Sequence, residues 1–301
     1  MKDISVIILT YNEEKHIERC IKSLKLFVKD IFIVDSYSTD KTLEIAERLG
    51  AKIFQNKWIN YATQFQWALD NCPIKTKWVM RMDADEYIEP RLAKEIEKII
   101  DDLQDNIKGI YIKRKVYFQG KWIRWGGFYP HILLRIWQYD YGRIEQRWMD
   151  EHIILKEGDT FLIKKGHIVD DNKNNITWWI NKHNKYATRE MLDLMNIKYK
   201  FFKKDDALLR MKDPQAKWKR FIKEKIYLRL PLGIRPTLYF FYRYFLKLGF
   251  LDGWQGFIFN FMQGWWYRLL VDVKCWEVER KIRKYNGNWK DLLREEYDIK
   301  L

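Results

Sequence analysis

Ile4-Ser5-Val6-Ile7-Ile8-Leu9-Thr10-Tyr11-Asn12-Glu13 passes abruptly from a largely β-branched apolar run into four polar residues. Such a run predicts a strand buried on both faces that ends in a polar loop. Outward from it, elements alternate. Apolar positions Ile17, Cys20, Ile21, Leu24 and Leu26 predict a helix over Glu14–Leu26. Asp30–Val34 reads as a second strand, ending in Asp35-Ser36-Tyr37-Ser38-Thr39-Asp40, and Thr42–Leu49 as a helix closed by Gly50. A strand at Ala51–Phe54, a helix at Tyr61–Asn71 and a strand at Trp78–Met82 follow. Strand and helix alternating over short connections predict an α/β fold with a wound, mostly parallel sheet flanked by helices.

Beyond residue 90 the pattern changes. Arg91–Leu103 reads as a helix, Gly109–Phe118 and His131–Gln138 as strands, with further strands at Ile153–Leu155 and Phe161–Lys164. Trp178–Met195 is helical, and from about Pro214 onward amphipathic segments rich in Trp, Phe, Tyr, Lys and Arg take over.

Charge divides the chain in the same way. The net charge is +15, with 56 Lys and Arg against 41 Asp and Glu. Residues 151–301 carry 31 basic and 19 acidic side chains, an excess of 12. Basic surface of this kind meets anionic lipid, anionic glycan or nucleic acid, or simply keeps a protein in solution. Three cysteines without a CxxC pair argue against a disulfide framework or a zinc site and fit a reducing cytosol. No signal peptide is expected ahead of the first strand, and no run of roughly 18 uncharged apolar residues predicts a spanning helix.

In an open parallel sheet, ligands bind outside the carboxyl ends of the strands. Thr10, Tyr11 and Glu13 are therefore expected to meet Asp35 at one crevice. Tyr11 offers a ring face to a base, and Asp35 an acceptor for an imide N–H. Asp40 and Thr42 serve equally well as caps for the next helix. The absence of GxGxxG argues against a dinucleotide enzyme. Asp83-Ala84-Asp85, at the end of an apolar strand, places two carboxylates where they can share Mn²⁺ or Mg²⁺ with diphosphate oxygens. Standing alone, an Asp-x-Asp is a weak signal.

The three segments together, Val6–Glu13, Asp35–Thr42 and Met82-Asp83-Ala84-Asp85-Glu86, resemble the inverting family 2 glycosyltransferases of the GT-A fold in order and spacing. The resemblance covers roughly residues 1–170 and is nearest the lipopolysaccharide-core glucosyltransferase-like branch. Tyr61, Gln64 and Ala68-Leu69-Asp70 match that branch, whereas Phe65-Gln66 replaces its usual Arg-Asn. The resemblance implies that Thr10, Tyr11, Glu13 and Asp35 hold the nucleoside of a nucleotide-sugar, with UDP favoured. Gln64 would line the crevice near the phosphates, and Asp83 and Asp85 would hold ribose, metal and diphosphate. It also implies a third metal ligand, His167, after the strand at Phe161–Lys164, although a lone histidine is more often a packed or surface residue.

Inverting transfer needs a carboxylate that takes the proton of the attacking hydroxyl. Trp148-Met149-Asp150-Glu151-His152 supplies the candidates, against the plainer reading of an acidic turn, and the resemblance implies Glu151 ahead of Asp150. Arg135 and Arg147 are candidates for diphosphate or an anionic acceptor. Asn175-Ile176-Thr177 matches a glycosylation acceptor that a cytosolic chain would not use.

The expected organisation is a catalytic part over residues 1–170 and a helical part over 171–301 for acceptor, membrane or dimer contact. Leu238–Lys247 and Phe257–Met262 are too short to span a bilayer; they either lie in the interface of an anionic membrane or pack as core. Leu251-Asp252-Gly253-Trp254-Gln255-Gly256 between them resembles the branch's own C-terminal motif. The function expected is transfer from a UDP-hexose to a glycan or lipid-linked glycan in lipopolysaccharide, lipooligosaccharide or capsule synthesis, at the cytoplasmic face of the inner membrane. A protein acceptor is the alternative. A nucleic-acid-binding protein lacks any base-reading motif, and a dead scaffold does not fit the intact acidic residues.

Overall fold

The computed structural model describes residues 1–146, 151–200 and 230–297. β1 (Lys2–Thr10), β2 (Val28–Asp35), β3 (Lys52–Gln55) and β4 (Trp78–Asp83) are the strands the apolar runs predict. Between them lie α1 (Ile17–Leu24), α2 (Thr42–Arg48) and α3 (Tyr61–Asn71). β1 pairs in parallel with β2 on one side and β4 on the other, and β2 with β3. This is the wound half of the sheet.

The second half is mixed. β5 (Glu86–Ile88) and α4 (Pro90–Ile99) precede the long β6 (Ile107–Phe118), β7 (Lys121–Ile123) and β8 (His131–Gln138). β8 inserts antiparallel between β4 and β6, and with β12 (Ile168–Asp170) the order is β3-β2-β1-β4-β8-β6-β12-β5. β9 (Gly142–Ile144) and β10 (Ile153–Leu155) form a separate hairpin, and β11 (Asp159–Leu162) adds to β6. β12 returns between β6 and β5, setting Asp170 opposite Glu86. The result is a mostly parallel sheet flanked by helices.

The period-two alternation of β1 fills both faces. Ile4, Val6 and Ile8 pack with Ile31, Ile33, Met80 and Met82 against α1, α2 and α4. Ile7 points the other way, with Phe32, Val34 and Val79, against Ala62, Phe65 and Ala68 of α3. Each fully buried side chain of this size contributes about 1.5–3 kcal/mol relative to exposure.

α5 (Ile176–Tyr199) is longer than its apolar positions predict. It packs against α8 (Tyr267–Lys281) and α9 (Trp289–Tyr297), through Met191, Leu192, Val271, Val278 and Leu292, in a core of its own. The described C-terminal part also holds α6 (Ile234–Phe241), α7 (Gly253–Phe259), two π-helical stretches at Tyr242–Leu246 and Asn260–Trp266 and a short turn at Gly249–Asp252. No helix among the described residues is long and apolar enough to cross a membrane.

The C-terminal aromatic segment is docked by its few polar residues. Asp252 accepts from the Trp125 N–H at 2.8 Å, and Arg243 Nε donates to the Gly126 carbonyl at 2.8 Å under the Phe128 ring. Gly126, at φ +73°, approaches so closely that an added Cβ would stand 2.6 Å from Asn260 Oδ1. The Leu251–Gly256 motif therefore fastens α7 to the loop between β7 and β8.

Candidate functional site

The carboxyl ends of β1, β2 and β4 open on one edge, because the register sets Thr10 opposite Asp35 and Leu9 opposite Asp83. Thr10 Oγ1 donates to Asp35 Oδ1 at 2.8 Å, and the Ser38 N–H donates to Oδ2 at 2.7 Å. Asp35 is fully buried, so here its carboxylate organises the loop that carries Ser36, Tyr37 and Ser38. Asn12 and Tyr37 take left-handed φ angles of 55° and 61°. Such conformations persist where surrounding bonds hold them; the Asn12 N–H donates to Ser38 Oγ and the Thr39 N–H to Asn12 Oδ1, both at 2.8 Å. These loops leave the Tyr11 and Tyr37 rings exposed. Gln64 is buried and braces the same edge: its amide donates to the Asn56 carbonyl at 3.0 Å and to Ser36 Oγ at 3.2 Å, and its Oε1 accepts from Asn56 Nδ2.

Glu13 meets His16 at 2.7 Å through Nδ1. His16 Nε2 accepts from the Lys173 N–H at 2.8 Å, so the neutral ring carries its proton on Nδ1 and donates it to Glu13. Burial first, and the nearby Asp85 charge, push the Glu13 carboxyl above its usual range, against the pull of His16.

Asp83 and Asp85 stand in a network of alternating charge. Tyr61 donates to Asp83 Oδ1 at 2.7 Å, and Arg81 Nε donates to the Tyr61 oxygen at 2.9 Å with its guanidinium over the ring. Arg135 joins Asp83 at 3.5 Å and Glu86 at 2.7 Å; Arg114 joins Glu86 at 3.2 Å and Asp170 at 3.4 Å. Burial alone would raise the Asp83 carboxyl, but Arg135 and Arg81 overcome it and hold the group well below the usual carboxylate range. In Glu86 and Asp170 burial prevails despite their arginines, and the carboxyls are pushed up to about 7 and about 6. Arg135 is thus a correction to the sequence reading: buried to 3% exposure, it holds carboxylates together and is not free for a substrate anion.

Glu151 lies beside this network, its Oε1 3.4 Å from Arg81 and its side chain 11% exposed. Asp150 and Arg147 lie outside the described residues. The structure does not bring His167 to the Asp83–Asp85 pair. β12 runs antiparallel to β5, so the residue before Ile168 falls at the Glu89 end, away from Asp85. There the His167 ring bonds Glu89 at 2.9 Å and Tyr129 at 2.9 Å. What does reach Asp85 from this side is Asn172, whose amide donates to Oδ2 at 2.9 Å.

Sequence reasoning missed Lys182. Its Nζ is 3.7 Å from Asp85 Oδ2 and 4.7 Å from the Trp178 ring centre. Burial disfavours the ammonium, but Tyr186, Asp85, Glu13 and Asp170 outweigh it and raise the group above its ordinary value. Trp178, Lys182, Tyr186 and Arg189 share one face of α5 at helical spacing. Arg189 stands 5.6 Å from the Trp58 ring, in the loop after β3. α5 therefore crosses the crevice with a cationic and aromatic face turned to the acid pair. The i, i+4 spacing was visible in the sequence; what it faces was not.

Among the described residues no three His, Cys, Asp or Glu side chains converge as a metal site. Asp83 and Asp85 still suit a hard divalent ion bound through one or two carboxylates, with substrate phosphates and water completing its shell.

The Glycosyl transferase family 2 model matches residues 5–171 of the 301. An uncharacterized glycosyltransferase of Rickettsia bellii is 45% identical over 98 residues, 33% of each chain, so the match spans about a third of that relative's length. The lipopolysaccharide core biosynthesis glycosyltransferase LpsC of Rhizobium meliloti is 28% identical over 96% of this chain and 97% of its own. The structure of S. aureus TarS residues 1–349 with UDP is similar at 17% identity over 95% of this chain and 92% of that one, with a TM-score of 0.45. With the family's model matching more than half of its length, the chain belongs to glycosyl transferase family 2.

Proposed function

We propose that the protein is an inverting glycosyltransferase that moves a hexose from a UDP-sugar to a hydroxyl of a cell-envelope glycan. The observation that carries this reading is the Asp83–Ala84–Asp85 pair at the end of β4, beside the Thr10–Asp35 strand ends and facing Lys182 across the crevice. Tyr11 and Tyr37 offer exposed rings to the base, and the Thr10–Asp35–Ser38 loop gives the polar wall. Asp83 and Asp85 would hold Mn²⁺ or Mg²⁺, which would supply Lewis-acid neutralisation of the leaving diphosphate. Lys182 would add a second cation to the same phosphates, while Arg135 and Arg81 keep Asp83 ionised and Tyr61 orients it.

Glu151 is the base. It takes the acceptor's proton as the hydroxyl oxygen attacks the anomeric carbon from the face opposite the departing diphosphate, which inverts that centre. Asp150 remains the alternative within the pair. The similarity to LpsC along nearly the whole chain supports a lipopolysaccharide-type acceptor. A lipid-linked acceptor would be met at the cytoplasmic face of a membrane, with residues 1–170 as the catalytic part and 171–301 serving acceptor and membrane.

A thermal-shift panel of nucleotide sugars, each with Mn²⁺, with Mg²⁺ and with chelator, tests the donor reading, since a ligand bound only by the native state raises the melting temperature. Stabilisation by one UDP-sugar, lost with chelator, is expected. Equal stabilisation by all nucleotides, or none by any, would count against it.

A further inference from the structure

Leu238–Phe261 contains eleven aromatic residues in 24, and three charged ones, Arg243, Lys247 and Asp252. Two of those three are buried and spent on the loop between β7 and β8, so Lys247 is the segment's one exposed charge. With its polar groups turned inward, the segment turns apolar ones outward. Phe241, Phe245, Leu246, Phe250, Leu251 and Trp254 are all exposed, Leu246 to 75% and Trp254 to 69%.

The rings of the segment adjoin one another. Phe241 stacks on Phe245 at 5.6 Å, Phe245 meets Tyr244 at 5.1 Å, Tyr244 meets Phe257 at 5.7 Å, and Phe257 stacks on Trp254 at 5.3 Å. A contiguous apolar surface of this kind marks an interaction site. Its rim is cationic. The Lys121 ammonium adjoins Gly253, Arg124 lies 5.6 Å from the half-exposed Trp125 ring, and Lys247 lies 5.6 Å from the Tyr242 ring. Rings on the face with Lys and Arg around it match the layering of a bilayer interface, where aromatics sit at headgroup depth and cations meet anionic headgroups.

We infer that the exposed aromatic face of Leu238–Phe261, rimmed by Lys121, Arg124 and Lys247, docks the protein on an anionic lipid bilayer without spanning it. The docked face is also connected to the site through the chain. The β7–β8 loop that it grips runs into His131, whose ring bonds Arg114, and Arg114 holds Glu86 and Asp170. Lipid contact at this face therefore brings the second half of the crevice to the headgroup layer, where a lipid-linked acceptor is presented. That last step rests on the proposed function; the docking itself does not.

Flotation of the full chain with phosphatidylglycerol-containing vesicles tests it, without nucleotide. The chain is expected to float with these vesicles and at least tenfold less with pure phosphatidylcholine. The Phe245→Ser/Trp254→Ser double variant is expected to lose at least tenfold in flotation while keeping its melting temperature and its UDP-sugar shift. Flotation equal in the double variant would overturn the inference. So would failure of the native chain to float, and light scattering showing a dimer that the same substitutions dissociate would assign the face to a second copy instead.

Discussion

The Lys182 ammonium stands 3.7 Å from Asp85 Oδ2, joining the N-terminal third of α5 to the turn after β4 across 97 residues of sequence. The lysine offsets the charge of the carboxylate to which the proposed function assigns the metal. Under that reading the same ammonium also serves the donor's diphosphate. Lys182→Met is therefore expected to weaken UDP-sugar binding roughly tenfold, about the worth of one charge-assisted hydrogen bond. Titration calorimetry checks it. An unchanged Kd would leave Lys182 only a structural partner of Asp85.

Asp85→Ala is expected to abolish metal-dependent transfer while the protein stays folded, because the side chain is at the crevice and outside both sheet cores. The readout is twofold: the melting temperature without ligand is kept, and the additional stabilisation by UDP-sugar with Mn²⁺ disappears. Full activity in this variant would remove the metal assignment.

Glu151→Gln keeps the shape of the side chain and its contact with Arg81 but removes the base. Donor affinity is expected to persist, with kcat falling by about 10²-fold or more. Loss of turnover in Asp150→Asn alone would move the role to its neighbour.

His183 gives a pH signature of stability. Its ring stacks on Trp179 at 3.4 Å and bonds that residue's carbonyl at 2.9 Å, and burial lowers its pKa to about 4 from 6.5. The unfolded chain then binds more protons than the folded one between these values. This contribution is fully present above pH 6.5 and is lost as pH falls toward 4, an upper figure of roughly 3 kcal/mol. Melting curves across that window are expected to fall more steeply for the native chain than for His183→Gln. Parallel curves would show that the histidine is not buried as a neutral ring.

The strands were legible because each apolar run is short, β-branched and closed by polar residues. The run from Ile4 to Leu9 appears inside β1, and Trp78–Met82 inside β4. Helix boundaries were less so: Glu14–Leu26 shortens to Ile17–Leu24, because Glu13 and His16 are taken into the turn that carries the crevice loop. Of the candidate residues, Thr10, Tyr11, Glu13, Asp35, Gln64, Asp83 and Asp85 fall at adjoining strand and helix ends, which follows from their position just after apolar runs. His167 does not join them. Its distance along the chain was suitable, but the antiparallel return of β12 carries it toward Glu89.

By itself the sequence determined the wound half of the sheet and the edge at which its polar loops gather, because periodicity and loop chemistry are local properties of the chain. Only the tertiary structure decided which charges meet. β8 inserts between β4 and β6 and delivers Arg135 to Asp83, and α5 lies across the crevice and delivers Lys182 to Asp85. It also decided that Arg243 and Asp252 face inward while the Phe241, Phe245, Phe250 and Trp254 rings face outward. Pairings between residues far apart in sequence depend on strand insertion and helix docking, and no local pattern of residues encodes them.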